Sequence, residues 1–343
     1  MHTELNGNPE PVLKVRDLRT YFYGGDRVNR AVEGVTLDLY AGRTLGVVGE
    51  SGSGKSVTAQ SIMQLLPPLA RIESGSIELH SERGMQRLDQ YGRDSAKMRA
   101  VRGSEIAMIF QDPMVSLNPV YTIGFQIGEM LRLHTGMNRG QARQRSIELL
   151  EEMGIASPEQ RVDEYPHQFS GGMRQRAMIA MAMACNPRIL IADEPTTALD
   201  VTIQAQVFEL IGRLQRDHGM ATMLITHDMG VIAELADDVA VMYMGKIVES
   251  GPVGDVLSSP RHPYTRALLR SMPVLGRGRD QVLEPVKGST PDPYDRPSGC
   301  QFAPRCPQAL PQCSQEPLLE AVSHSRKVAC WVEGVPYEVG ERK

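Results

Sequence analysis

Three short apolar runs set the frame of this chain: "TLGVVG" (44–49), "RILIAD" (188–193) and "ATMLIT" (221–226). Each has the length and the apolar continuity of a strand buried on both faces. Helical spacing follows each run. The first helix is expected from Gly54 to Leu66, stopped by Pro67-Pro68. The second runs from Val201 to Arg216, with Val207, Leu210, Ile211 and Leu214 on one face, and the third from Gly230 to Ala236. Strands alternating with helices predict a parallel α/β sheet covered on both sides. Nearer the start, "VLKVRDL" and "AVEGVTLDLY" alternate with period two, as strands of a smaller antiparallel sheet do. From Tyr121 to Glu164 the pattern is helical only, as in "QARQRSIELLEEMG" closing on Gly154. After Gly251 the texture changes: 13 of the 23 prolines fall at Pro252 or later. Proline removes ladder donors, so long regular elements are not expected there. The expected organisation is a main domain over 11–251, with a helical subdomain at about 121–187, and an irregular extension over 252–343.

Composition narrows the class. A 343-residue chain with 41% hydrophobic and 23% charged residues is expected to be globular rather than disordered. A net charge of −4 argues against a protein devoted to nucleic acid. The longest apolar run, "AMIAMAMAC" (177–185), is about half a bilayer span, and the first residues carry no secretory pattern. The expected location is the cytoplasmic side, with any membrane role exerted through partners.

The chemistry begins at "GESGSGKS", Gly49, Glu50, Ser51, Gly52, Ser53, Gly54, Lys55 and Ser56, which fits G-x-x-x-x-G-K-[ST] between a strand and a helix. Glycines allow such a loop to wrap its N–H groups around phosphate oxygens, and the helix N-terminus adds positive potential. Lys55 is expected to bridge β- and γ-phosphates, and Ser56 to ligate Mg²⁺. "ILIADEP" (189–195) then ends an apolar strand on two carboxylates. Asp193 is placed to hold Mg²⁺, and Glu194 to polarise an attacking water as general base.

A second glycine-rich helix start lies at "FSGGMRQR" (169–176). Ser170 suits an N-cap, and Gly171 and Gly172 permit close backbone approach. One ATP does not need two such cradles from one chain, so a dimer is expected in which each chain's second cradle closes on its partner's nucleotide. With these residues the chain resembles the ATP-binding subunits of ABC transporters over essentially its whole length. The motifs run in the family's order: the phosphate loop, "IFQDP" with Gln111, "SGGMRQR", Asp193-Glu194, "TALD" with Asp200, and "ITHD" with His227. Met173 stands where the family usually has glutamine. The resemblance implies a phosphate-loop NTPase core, with Gln111 touching Mg²⁺ and relaying nucleotide state to membrane subunits. It further implies Asp200 at the dimer seam, His227 at the γ-phosphate, and an aromatic of "YFY" (21–23), Phe22 by strand count, stacked on adenine. A soluble ABC-type ATPase acting on nucleic acid is the remote alternative, but only 113 residues separate Ser56 from Ser170 and they hold no heptad run.

The tail addresses the cargo. "SPRHPYTRALLRSMP" (259–273), "YDRPSGC" and "FAPRCP" resemble the C-terminal extension of the peptide-transport subfamily. That resemblance implies import of di- or oligopeptides, with nickel or glutathione as the alternative. It also implies a heterodimer with a second ATPase chain, two permeases and a substrate-binding protein. Four of the five cysteines, Cys300, Cys306, Cys313 and Cys330, lie in this tail, spaced C-x5-C-x6-C-x16-C, while Cys185 sits in an apolar helix and reads as a core thiol. Disulfides do not suit a reducing compartment. Zinc usually takes tighter cysteine pairs, and four-cysteine iron–sulfur clusters accept more varied spacing. The subfamily's extension carries this cysteine pattern, so the expected cofactors are ATP, Mg²⁺ and a 4Fe-4S cluster, with Zn²⁺ as the alternative to the cluster.

Overall fold

The computed structural model describes residues 10–81, 84–112, 116–196, 199–271, 285–323 and 325–332. Pro113 of "IFQDP", Thr197 and Ala198 of "TALD", and Met272 and Pro273 at the end of the first tail stretch lie outside them.

The main sheet is built on the three apolar runs. They form β3 (Thr44–Val48), β7 (Ile189–Asp193) and β8 (Ala221–Ile225). Side chains of successive strand residues point to opposite faces, and both faces here are apolar. Ile189 and Ile191 of β7 join one buried cluster, while Leu190 and Ala192 join the other. That is why the runs are continuous rather than alternating. With β6 (Ile106–Ile109), β9 (Asp238–Tyr243), β10 (Lys246–Pro252), β11 (Glu320–Ser323) and β12 (Arg326–Val328), they make an eight-stranded sheet of order β11-β12-β10-β9-β3-β8-β7-β6. The block β9-β3-β8-β7-β6 is parallel throughout, and β10, β12 and β11 add on antiparallel.

One face of this sheet is covered by a four-stranded antiparallel sheet of order β2-β1-β4-β5, from β1 (Leu13–Gly24), β2 (Arg27–Leu39), β4 (Ala70–Ser81) and β5 (Gly84–Arg87). Leu13, Val15, Leu18, Val35 and Ile77 of these strands share a core with Val47, Ile191 and Met223. Helices cover the other face. The helical subdomain contains α2 (Ile123–Thr135), α3 (Arg139–Glu152) and α4 (Gly171–Met183), the first helix α1 (Lys55–Ile62) having preceded them. Asn138 and Gln141 cap α3 reciprocally. The helix after β7 is α5 (Val201–His218), which buries Val207, Leu210, Ile211 and Leu214 as the spacing requires. The helix after β8 is α6 (Met229–Leu235).

Two details differ from the sequence reading. Helix α1 stops at Ile62 rather than Leu66, because Gln64 adopts a left-handed backbone (φ 51°) before the prolines are reached. The extension is also less of an appendage than its prolines suggest. Its elements are short, as expected, but β12 pairs with β10 and so widens the main sheet. The joint is sealed by a buried ion pair, Arg326 Nη2 donating to Glu249 Oε1 at 2.5 Å. Glu249 also accepts the backbone N–H groups of Arg261 and His262, each at 2.9 Å. A buried carboxylate demands such complete pairing.

Candidate nucleotide site

Because β3, β8, β7 and β6 are adjacent and parallel, their C-terminal ends share one edge. The phosphate loop leaves β3 there, Glu194 follows β7, His227 lies just past β8 and Gln111 just past β6. Ligands of open α/β sheets bind at this edge. A cavity of about 500 Å³ opens on it, lined by the loop from Ser51 to Val57 together with Gln111, Glu194 and His227. Phe22, Asn29 and Ala31 close its other side. Phe22 and Asn29 face each other in register across β1 and β2, so the antiparallel sheet delivers them together. Asn29, Ala31 and Val57 had no motif to mark them.

The loop is shaped by glycine where glycine is needed. Gly54 has φ +100°, and a Cβ there would lie 2.3 Å from the Ala31 carbonyl oxygen. Lys55 is 5% exposed and folds back on the loop, donating to the carbonyls of Gly49 (2.7 Å) and Glu50 (3.1 Å). Burial lowers its pKa, opposed by the nearby carboxylates of Glu194, Asp193 and Glu50. Those carbonyl contacts are ones an incoming phosphate can replace. The Ser56 hydroxyl donates to Asp193 Oδ1 at 2.9 Å. Burial holds the Asp193 carboxyl above its ordinary range, with Ser56 pulling the other way. Two hard oxygen donors side by side beside a phosphate cradle suit Mg²⁺.

Glu194 sits in the left-handed region at φ 45°. For a residue with a Cβ this costs on the order of 1 kcal/mol. The conformation turns its carboxylate between Gln111, whose Nε2 donates to Oε2 at 3.1 Å, and His227, whose Nδ1 is 3.6 Å from Oε1. The structure thus brings together Phe22, Ser51 to Ser56, Gln111, Asp193, Glu194 and His227 on one edge. Gly49 and Glu50 do not line the cavity, and the Glu50 carboxylate faces the extension instead.

Ser170, Gly171, Gly172 and Asp200 are also absent from the cavity lining. They form a face of their own. Ser170 caps α4, accepting from the Met173 N–H at 3.3 Å, and Asp200 caps α5, accepting from the Ile203 N–H at 3.0 Å. The two caps abut: a Cβ on Gly171 would meet Leu199 at 3.6 Å and one on Gly172 would meet Ile203 at 3.1 Å. Both capping residues are exposed.

Comparison with known proteins bears on these edges. Dipeptide transport ATP-binding proteins DppD of Bacillus subtilis and Escherichia coli are 49% and 47% identical to this chain. The matches cover 94% of this chain and 95% of the first relative, and 93% and 96% for the second. The chain belongs to the ATP-binding family of ABC transporters. Residues 32–197 match the ABC transporter family model, and residues 248–313 match that of the oligopeptide/dipeptide transporter C-terminal region. Among solved structures, the ATP-binding cassette MJ0796, dimeric in a post-hydrolysis state with ADP and Pi, aligns with a TM-score of 0.61. It is 25% identical, over 70% of this chain and 98% of that one. As an ABC ATPase this chain binds and hydrolyses ATP. None of its described helices is long and apolar enough to cross a membrane.

The tail cysteines converge. Burial raises the Cys300, Cys306 and Cys330 thiols, Cys330 to about 12, and in each case neighbouring tail cysteines push further in the same direction. Cys330 feels Cys300, Cys306 and Cys313 together. Among the described residues, however, no group of three or more His, Cys, Asp or Glu side chains stands at the spacing that holds one metal ion. The four thiols are neighbours without being a ready-made ligand set. Cys185 packs beside the core as expected, its thiol pushed up to about 11 by burial.

Proposed function

We propose that this ABC ATPase energises uptake of di- or oligopeptides, working from the cytoplasmic face of a membrane as one half of a heterodimer. The observation that carries the reading is end-to-end similarity to relatives named for dipeptide transport, which includes the extension as well as the ATPase core. Its partners are a second ATPase chain, two permeases and, outside the membrane, a substrate-binding protein. The separation of the Ser170 face from the phosphate-loop cavity supports pairing, since each face needs a complement.

In this mechanism Phe22 stacks on the base, and the N–H groups from Ser51 to Ser56 cradle the phosphates with Lys55 moving from loop carbonyls to phosphate oxygens. Ser56 and Asp193 would hold Mg²⁺, with Gln111 among the groups that would meet it, and the ion would supply positive charge against the phosphates. Glu194 accepts the proton of the attacking water. His227 and Gln111, both at its carboxylate, keep it aimed. Ser170, Gly171 and Gly172 with Asp200 meet the nucleotide of the other chain.

The cysteine corner we assign to a 4Fe-4S cluster, with zinc as the alternative. Support comes from four thiols brought together in a tail with few long elements. Among the described residues no metal ligand set stands ready-made, so the thiols would have to draw together around either group. Thiols raised by burial would release their protons to solvent as the metal bound. Anaerobically purified protein should be brown and contain iron and sulfide; colourless protein, or protein with stoichiometric zinc, removes the cluster. For the cargo, the chain reconstituted with its partner subunits in proteoliposomes should show ATP-dependent uptake of labelled dipeptide. Uptake of nickel or glutathione with no peptide uptake would replace the peptide reading.

A further inference from the structure

The entry of the phosphate loop is gripped from the far end of the chain. Arg305, 4% exposed, donates to both oxygens of Glu50, Nη1 to Oε2 at 2.7 Å and Nη2 to Oε1 at 3.0 Å. The Glu50 N–H is itself donated to the hydroxyl of Tyr264 at 2.8 Å. Tyr264 is fully buried in α7 (Pro263–Arg270), its ring 4.6 Å from that of Tyr243 on β9 and 5.3 Å from that of Phe302. The same extension holds the other side of the loop. Arg296 donates to the carbonyls of Met244 and Arg30, both at 2.6 Å, and the neighbouring Gly245 N–H donates to the Ser53 carbonyl at 2.8 Å.

This geometry is more than packing. A carboxylate in the loop that must receive a triphosphate repels its own ligand unless it is neutralised, and a bidentate guanidinium does so while fixing orientation. We propose that Arg305 and Tyr264 are positioning residues of the ATP site. They hold Glu50 so that the loop is set for a nucleoside triphosphate and its negative charge is cancelled. The extension is then a working part of the nucleotide site. The inference rests on the ATP reading of the cavity.

The test uses the full chain, with a fluorescent ATP analogue for affinity, and the assembled transporter for KM and kcat. Arg305→Met should raise KM for ATP about tenfold, the effect of one uncompensated charge near the phosphates, with kcat within about twofold. Adding Glu50→Gln should recover most of that loss in KM, since it removes the stranded charge. Tyr264→Phe, which keeps the ring, should raise KM about threefold, the worth of one ordinary hydrogen bond, with kcat within about twofold. An unchanged KM in Arg305→Met, or no recovery in the double variant, overturns the proposal. If Arg305→Met does not fold, Tyr264→Phe decides alone, and an unchanged KM there overturns it. Wild-type protein that fails to bind the analogue, or binds it equally well as Lys55→Ala, would instead remove the ATP reading of the cavity.

Discussion

The phosphate-loop cavity and the cysteine corner both gather residues that are far apart in sequence, yet different forces do the gathering. At the cavity, four adjacent parallel strands end on one edge, so the backbone ladder itself places the loop, Gln111, Glu194 and His227. Charge there is shared: buried Lys55 stands among the carboxylates of Glu194, Asp193 and Glu50, and Arg305 of the extension pairs with Glu50. At the corner, Cys313 lies in the short helical turn Pro311–Ser314, Cys306 directly follows that at Ala303–Arg305, and Cys300 and Cys330 lie in irregular chain. Burial and the neighbouring tail cysteines both oppose ionisation of Cys330. Like groups brought together in this way stay neutral or take up a cation. Strand ends fix where the groups of the cavity stand, while turns leave the thiols to be placed by what surrounds them.

The joint between the regions should give the largest effect. Arg326→Met strands the Glu249 carboxylate, which is fully buried, and should cost about 3–5 kcal/mol of stability. Denaturant unfolding of the variant would show it. A loss below 1 kcal/mol would mean that the extension is not fastened through this pair. Next comes the chemistry of the cavity. Glu194→Gln should leave ATP binding intact while turnover in the assembled transporter falls about a hundredfold or more. Near-normal turnover would take Glu194 out of the mechanism.

The two regions were unequally legible. The strands at Thr44–Val48, Ile189–Asp193 and Ala221–Ile225 appear where the apolar runs lie, because burial on both faces leaves an unbroken signal. Lys55, Ser56 and Glu194 come to the strand edge through contiguous loop and strand segments, a placement that short-range pattern carries. Strand β6, at four residues, and β12, at three, give runs too short to register. Glu50 reads as a ligand-binding residue from its place in the loop, yet its side chain belongs to Arg305, 255 residues away. No local pattern carries such a pairing. Nor could sequence decide between disulfide, zinc and cluster at the corner, because spacing fixes neither sulfur distances nor the neighbouring charges.

The pH response separates the regions further. His262 is fully buried in the extension, its Nδ1 accepting from the Tyr264 N–H, and burial, with Arg266 nearby, lowers its pKa from 6.5 to about 3. Between those values the unfolded chain binds the extra proton, so stability rises with pH and is lost as pH falls below 6.5. The loss from this one group is about 1.4 kcal/mol per pH unit. His262→Asn, which retains an acceptor, should flatten that acid limb in melting experiments. An identical slope in the variant would assign the acid sensitivity elsewhere. The smallest effect is expected at the base pocket: Phe22→Ala should raise KM for ATP a few-fold, the worth of one aromatic stack at about 0.5–1.5 kcal/mol. No change would return Phe22 to the role of an ordinary wall of the cavity.

The central claim is that the Gly49–Ser56 loop and the Ser170 face of one chain serve two different nucleotides. A photoreactive residue introduced at Ser170, in transporter loaded with labelled ATP, tests it directly. The account predicts label transfer to this chain when its own loop carries Lys55→Ala and the partner ATPase is intact, and none when the partner's phosphate loop is disabled. Label transfer that follows this chain's own Lys55 and ignores the partner would contradict it.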